Sequence, residues 1–323
     1  MADVFSTTTS GLGSNLVTMA YDKLIELNLR TTPQFRAIAD KKVGNPTHDG
    51  SSIRFQFHND IADTTIAGAT LAETVDPDAV ALPATTTLDV AQTELGRVVL
   101  PTRKLSLMTL ADVDPWIANA VAFNMAMTLD NGVAAILDAG TNVIRESAGA
   151  LSTSAAKTTI TASDTFKGRD VRYAVTKLRA NNVVTRGGMY VSYIHPEVSH
   201  DLRTETGNNI WRTPHEYQNA GPLLAGELGA WEGVRFIESA NMTNTQSGSG
   251  TGGTQTRVYN TYVLGQQALA EAVWKEPGIE FGNVVDKLNR FRPVGWHGII
   301  NWAIYRQAAL YRIETASTVR PNA

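Results

Sequence analysis

Asp114-Pro115-Trp116-Ile117-Ala118-Asn119-Ala120-Val121-Ala122-Phe123-Asn124-Met125-Ala126-Met127-Thr128-Leu129-Asp130-Asn131-Gly132-Val133-Ala134-Ala135-Ile136-Leu137-Asp138 decides the fold. The carboxylate of Asp114 can accept orphan N–H groups as an N-cap, and Pro115 suits the first helical position. Ile117, Val121, Met125, Leu129, Val133 and Leu137 recur every fourth residue, and Trp116, Ala120, Phe123 and Met127 form a second apolar row. No charge interrupts Trp116 to Leu129. A helix apolar around most of its girth is covered on more than one side. Its roughly 24 residues span about 36 Å. A membrane span is the rival reading, but Asn119, Asn124, Asp130, Asn131 and Gly132 break the apolar run short of a bilayer's need. The stretch therefore reads as the backbone of the main domain, packed between a sheet and a second cover.

Upstream, Asp49-Gly50 signals a turn, and Ile53, Phe55 and Phe57 alternate with Arg54, Gln56 and His58 as in a strand. A return strand is expected over about Thr86–Leu95, with Leu88 and Val90 on one face. Between them lies an acidic excursion carrying Asp60, Asp63, Glu73, Asp76 and Asp78 and broken by Pro77 and Pro83. A hairpin alone is marginal in water, and so long an excursion is unusual inside a compact domain. The economical expectation is a hairpin that projects onto another copy of the chain. Before it, residues 1–14 read as a loose arm and Leu16 to Arg30 as a helix, while Lys41-Lys42 reads as a solvated corner.

Downstream, Trp296, Ile300, Trp302 and Ile304 alternate as a strand, and Leu310–Ile313 forms another. As a hairpin these two would cover one face of the long helix. Residues 147–163 read as a linker, and Asp164 as the cap of a helix ending at Asn181-Asn182. Strands at Met189–Ile194, Val234–Ile237, Val258–Leu264 and Leu269–Val273, and a helix from Pro196 to about Leu202, make 164–275 an inserted α/β or α+β unit.

The 323 residues suggest one large or two ordinary domains, and 43% hydrophobic content suffices for a real core. A net charge of −3 argues against a dedicated nucleic-acid binder. Residues 1–160 carry 11 Lys/Arg against 17 Asp/Glu, and residues 161–323 carry 17 against 14, a mild polarity suited to contact between copies. The absence of cysteine excludes disulfides, thiol catalysis and cysteine-bearing zinc sites. Met1–Ser10 shows no secretory signal, so the chain is expected to be soluble and made in a cytoplasm.

No catalytic constellation emerges. His195, His200 and His215 sit near Glu197, Asp201 and Glu205, but His195 and His200 would lie about 140° apart on a helix. The His-Glu-x-x-His spacing is absent, and His195, before a proline at a strand end, suits a structural hydrogen bond. Gly248-Ser249-Gly250-Thr251-Gly252-Gly253 matches G-x-G-x-x-G formally but leads into a strand, so it reads as a surface loop. No G-x-S-x-G elbow occurs. Asp76 and Asp78 sit in a polar loop. Arg169, Arg172, Lys177 and Arg179 have the spacing of a solvated helix face, and the aromatics of 290–311 alternate as strand-core residues. No metal or cofactor is expected.

The order of parts resembles the major capsid protein of tailed bacteriophages with the Hong Kong 97-like fold, in the branch first defined on an N-four-type phage. The residues that carry the resemblance are Tyr21-Asp22-Lys23-Leu24, Gly50-Ser51-Ser52-Ile53-Arg54-Phe55, Leu71-Ala72-Glu73-Thr74-Val75 and Val184. They continue with Tyr190 to Arg203, Gly226-Glu227-Leu228-Gly229, Gly233 to Ser239 and Val294-Gly295-Trp296. The resemblance implies an α+β protein with an N-terminal arm (1–42) and an extended E-loop (43–100). It further implies a peripheral P domain (101–163 and 276–323) with its spine helix at 114–138, and an inserted axial A domain (164–275). Between Val43 and Arg103 there is no lysine, so an isopeptide cross-link from an E-loop lysine is not expected. The arm reads as too short for a large fused scaffolding segment, so a separate scaffold protein, or none, is expected.

The implied function is structural and not enzymatic. Pentamers and hexamers would assemble into an icosahedral virion shell, built in the host cytoplasm. The shell would enclose double-stranded DNA without sequence-specific binding, with a portal protein, with or without scaffold or decoration proteins, and with no membrane. Ile53, Phe55, Phe57, Leu88, Val90, Phe123 and Met127 are the expected inter-subunit contacts. The alternatives are an encapsulin-like compartment of the same fold and a cytosolic enzyme with a site near His195–His215.

Overall fold

The computed structural model describes residues 33–44, 50–62, 64–76, 79–108, 114–205, 227–246, 256–283, 286, 288 and 290–320. The expected N-terminal helix, His215 and the glycine-rich loop at 248–253 lie outside these residues. In chain order the strands are β1 (Asp40–Val43), β2 (Ser52–Phe57), β3 (Thr86–Ala91), β4 (Glu94–Val99), β5 (Val143–Ser147), β6 (Ala150–Ser152) and β7 (Tyr190–Ile194). They continue with β8 (Glu227–Trp231), β9 (Val234–Glu238), β10 (Asn244–Gln246), β11 (Arg257–Leu264), β12 (Leu269–Phe281), β13 (Val294–Ile304) and β14 (Leu310–Thr315). The helices are α1 (Ile66–Ala69), α2 (Arg103–Met108), α3 (Asp114–Asp138), α4 (Gly168–Ala180) and α5 (Pro196–Thr204).

Among the described residues the strands form three sheets. One has the order β1-β12-β13-β4, and β2-β3 is a separate hairpin. The largest runs β6-β5-β14-β11-β7-β9-β8, with β10 added to β11. The long helix forms as its periodicity predicts and lies across β13, β12 and β4. Asp114, the expected N-cap, stands at the edge of the described residues.

By composition and length α3 could cross a membrane, yet one of its faces is packed against the sheets of its own chain. Ile117 and Val121 bury against Trp296, and Leu129, Val133, Ala134 and Leu137 bury where the two larger sheets meet. There they touch a cluster holding Tyr193, Tyr262 and Leu264 of one sheet and Leu269, Val273, Ile300 and Trp302 of the other. Gly132 is required by this fit, because a Cβ there would stand 2.9 Å from the Trp302 ring. The polar residues that interrupt the helix are its fasteners. Asp130, 1% exposed, accepts from the backbone N–H of Gln34 at 2.9 Å and of Phe35 at 2.7 Å, and from Asn241 at 2.9 Å. Asp138 accepts from Asn260 at 2.6 Å and from the Tyr262 hydroxyl at 2.5 Å. Burial, then the neighbouring Asp138 charge, holds that tyrosine neutral by raising its pKa.

The other face of the large sheet carries α4 and α5. Val171, Ala174, Val175 and Leu178 of α4 and Val198 and Leu202 of α5 bury against Tyr190, Ile194, Val234, Phe236 and Tyr259. Burial on both faces accounts for the aromatic and β-branched residues that dominate β7 and β11, with Ser192, Asn260 and Thr261 buried among them.

Four expectations are corrected. Strands 294–304 and 310–315 do not pair; β13 joins β12 and β4, while β14 joins β11 and β5 in the other sheet. The return strand is broken at Gln92-Thr93, with β3 pairing β2 and β4 pairing β13. Asp164 does not cap α4, which begins at Gly168; it accepts instead from the backbone of Gly149 and Thr161, each at 2.9 Å. Burial opposes ionisation of Asp164, but these N–H donors outweigh it and lower its pKa. Finally, Lys41-Lys42 is not a corner but part of β1, which pairs parallel with β12. Residue 275 lies within β12, and β11 and β12 belong to different sheets.

Candidate assembly surfaces

The hairpin was expected to find its partner in another copy, because two strands cannot make a core alone. The structure supplies a partner within the chain. Ile53, Phe55 and Val90 are buried against Ala270, Ala272 and Trp274 of β12, with Leu88 packed at the margin. The small side chains Ala270 and Ala272 leave room for the aromatic ring. Phe55 meets Tyr305 edge-on at 5.2 Å, and Phe57 lies 4.7 Å from the same ring with the Arg306 guanidinium 5.0 Å above it. On the outer face Arg54 pairs with Asp89 at 2.7 Å. Alternation along β12 sends Leu269 and Val273 to the α3 side and Ala270, Ala272 and Trp274 to the hairpin side, so both faces of this sheet are covered.

Of the seven expected contact residues, Ile53, Phe55, Phe57, Leu88 and Val90 thus come together on one face, already occupied by their own chain. Phe123 and Met127 lie apart on α3, half-buried. Trp116, at the head of the same row, is 47% exposed. The second apolar row of the helix is therefore only partly covered.

Two surfaces escaped the sequence reading. Beyond the seated hairpin, the excursion exposes Ile61, Ile66, Leu71, Val75, Val80 and Leu82, with Ile66 at 89%. Their signal was apolar residues recurring among carboxylates. The second surface is the far end of the four-stranded sheet, where Val98, Val99, Leu100, Leu105, Ile279 and Phe281 are exposed. β12 runs eight residues past its expected end at Val273, through register shifts on either side of Lys275 and past Pro277-Gly278. A proline in a strand hid this surface.

Among the described residues the histidine region holds no such surface. His195 is the N-cap of α5, its Nδ1 accepting from the Glu197 N–H at 3.2 Å, and burial lowers its pKa. His200 is exposed beside Asp201, 3.7 Å away. Among the described residues no group of three His, Asp or Glu side chains could hold a metal.

Residues 37–301 match the phage capsid protein family. A comparison with curated proteins returns no match. Among solved structures, the capsid of Ralstonia phage GP4 is 15% identical with a TM-score of 0.72, covering 97% of this chain and 98% of that one. The Cyanophage Pam1 capsid asymmetric unit gives 14% and 0.72, covering 96% and 99%. Mycobacterium phage Che8 gives 15% and 0.64, covering 93% and 97%. The chain belongs to the phage capsid protein family and is a structural major capsid protein of the Hong Kong 97-like fold.

Proposed function

We propose that the chain forms the tile of an icosahedral shell of pentamers and hexamers enclosing the double-stranded DNA of a tailed phage. The observation that supports this most is the excursion. Its base is fixed on β12 and β13, while its tip presents six exposed aliphatic side chains that a solitary protein has no reason to maintain. In this reading residues 43–100 are the E-loop, 1–42 the arm, 164–275 the axial domain and the remainder the peripheral domain around α3. The loop tip and the half-covered row at Phe123 and Met127 face neighbouring tiles. A net charge of −3 suits a wall that encloses DNA without gripping it, because numerous phosphate contacts would be salt-sensitive tethers. A portal protein is the expected partner, with or without scaffold or decoration proteins, and assembly takes place in the host cytoplasm. Electron microscopy of the expressed chain tests the reading: uniform polyhedral particles or ring-shaped capsomers are expected. Small oligomers under all salt and concentration conditions would overturn it.

A further inference from the structure

Two fully buried carboxylates meet where the β5–β6 hairpin reaches the head of α4. Glu146 of β5 and Asp170 in the first turn of α4 are each 0% exposed. One oxygen of each is supplied with donors. Glu146 Oε1 accepts from Lys167 Nζ at 3.1 Å and from the Arg169 guanidinium. Asp170 Oδ2 accepts from the Lys167 backbone N–H at 2.9 Å. The other oxygen of each, Glu146 Oε2 and Asp170 Oδ1, is buried with no hydrogen-bond partner among the described residues. Arg169 brings the two carboxylates together, because the guanidinium that donates to Glu146 also sets its Nε 3.7 Å from Asp170 Oδ1.

An ionised oxygen buried without a donor is costly, and two neighbouring buried carboxylates resist ionising together. One proton removes both difficulties. Placed on Asp170 Oδ1, it turns one orphan atom into a donor for the other. Burial first, and the Glu146 charge second, push the Asp170 carboxyl up to about 8, against the Lys167 N–H and the Arg169 and Lys167 charges. The other charged groups around the pair are engaged elsewhere. Glu205, just past α5, accepts from the Gly168 N–H at 2.7 Å, and Asp164 accepts from the Gly149 and Thr161 N–H groups, each at 2.9 Å. Arg145, the preceding residue of β5, pairs with Glu314 at 2.6 Å.

We infer that Glu146 and Asp170 share one proton, and that this proton latches the β5–β6 hairpin to the head of α4. The hairpin is free to lift when the latch fails, because β6 is the edge strand of the large sheet. Its turn is otherwise held by Asp164 and by Arg169, which donates to the Gly149 carbonyl at 2.7 Å. Closed, the latch fixes the chain leaving α3 to α4, and the Gly168–Glu205 bond extends that fixation to the end of α5. The direction of the pH effect follows from the two states. The closed latch keeps the proton to a higher pH than the open one, where Asp170 returns to the ordinary aspartate value of about 3.9. Opening therefore releases a proton, and the latch weakens by up to about tenfold per pH unit as pH rises from about 4, levelling once the closed form also loses the proton.

Amide hydrogen exchange of the unassembled full-length chain at stepped pH, corrected for intrinsic exchange rates, is the first test. Protection of the paired amides of β5 and β6 should fall at least about tenfold between about pH 5 and pH 8, with β11 as the reference that does not follow. Asp170→Asn keeps an acceptor for the Lys167 N–H and gains an amide donor for Glu146, so the hairpin should stay protected across the series. Glu146→Gln donates to an ionised Asp170 and should abolish the pH dependence as well. Infrared spectroscopy of the wild-type chain gives a readout that needs no variant to fold. A protonated carboxyl stretch should persist at about pH 6, above the ordinary aspartate range, and should be missing from both variants. Absence of that band from wild type overturns the inference, and is the result expected if a water bridges two ionised carboxylates. A loss of hairpin protection with pH that both variants retain overturns it equally.

Discussion

Phe55→Ala separates the two possible holders of the hairpin, its own sheet and a neighbouring tile. Phe55 is 6% exposed and packs on Ala270, Ala272 and Tyr305 of its own chain. Truncating a buried phenylalanine costs about 3–5 kcal/mol in a well-packed core. The seat here is only one sheet deep and open at Phe57, so the lower end, about 3 kcal/mol, is the fair expectation. The hairpin is a separate two-stranded sheet, so its release need not unfold the rest. At 1.4 kcal/mol per factor of ten, the open population rises about a hundredfold. Amide hydrogen exchange on the unassembled chain measures this directly. The inter-strand amides of Ser52–Phe57 and Thr86–Ala91 should lose protection by about that factor, with little change in α3 or β11. Unaltered hairpin exchange in the unassembled chain, with a change confined to shells, would show that a neighbour holds the hairpin and refute the argument.

Asp130→Ala removes three hydrogen bonds to a buried carboxylate and leaves the Phe35 N–H without its acceptor; a loss of about 3–5 kcal/mol is expected. Thermal unfolding should drop by about 4–7 °C for a chain of this length, whereas Asp130→Asn, which keeps an acceptor oxygen, should lose far less. Burial, then the adjacent Glu146, raises the Asp170 carboxyl above its ordinary range, against the Lys167 N–H and the Arg169 and Lys167 charges. The folded state therefore binds this proton more tightly than the unfolded one, so stability declines as pH rises from about 4. Asp170→Asn should flatten that slope in denaturation series at stepped pH, and an unchanged slope would remove Asp170 from the account. Phe123→Asp places a charge in the half-covered row of α3 and should cut particle yield; normal shells would refute the proposed neighbour contact there.

The legible parts of the sequence were those where one physical requirement dominates. The helix 114–138 shows because a four-residue repeat sustained over its length has no other explanation. β7 and β11 show because burial on both faces fills them with aromatic and β-branched residues. β1, β5, β6, β8 and β10 were missed for the opposite reason: they are short, and Lys41-Lys42 or Asn244–Gln246 carry no alternation to read. Pairing was less legible than the strands themselves. Nothing local in β13 tells it to pair with β12 and β4 instead of β14, since sheet membership is settled by long-range register. Asp164 shows the same limit, because a carboxylate before a helix looks like a cap until the turn at 148–149 reaches it first.

The hairpin residues illustrate the remaining gap between pattern and assembly. Period-two alternation in Ile53, Phe55 and Phe57 states that one face is covered, and it is silent on whose atoms cover it. What separates the alternatives is the complementary pattern far along the chain, small Ala270 and Ala272 beside Trp274 and Tyr305, which makes a shelf for exactly one aromatic face. With α3 on one side of the sheet and the hairpin on the other, the chain uses up both faces internally. Among the described residues, apolar surface is left over at the tip beyond the seated strands, the second row of α3 and the sheet's far end. Two of those three carry opposite charge, Asp60, Glu73 and Asp76 against Arg97, Lys104 and Arg292.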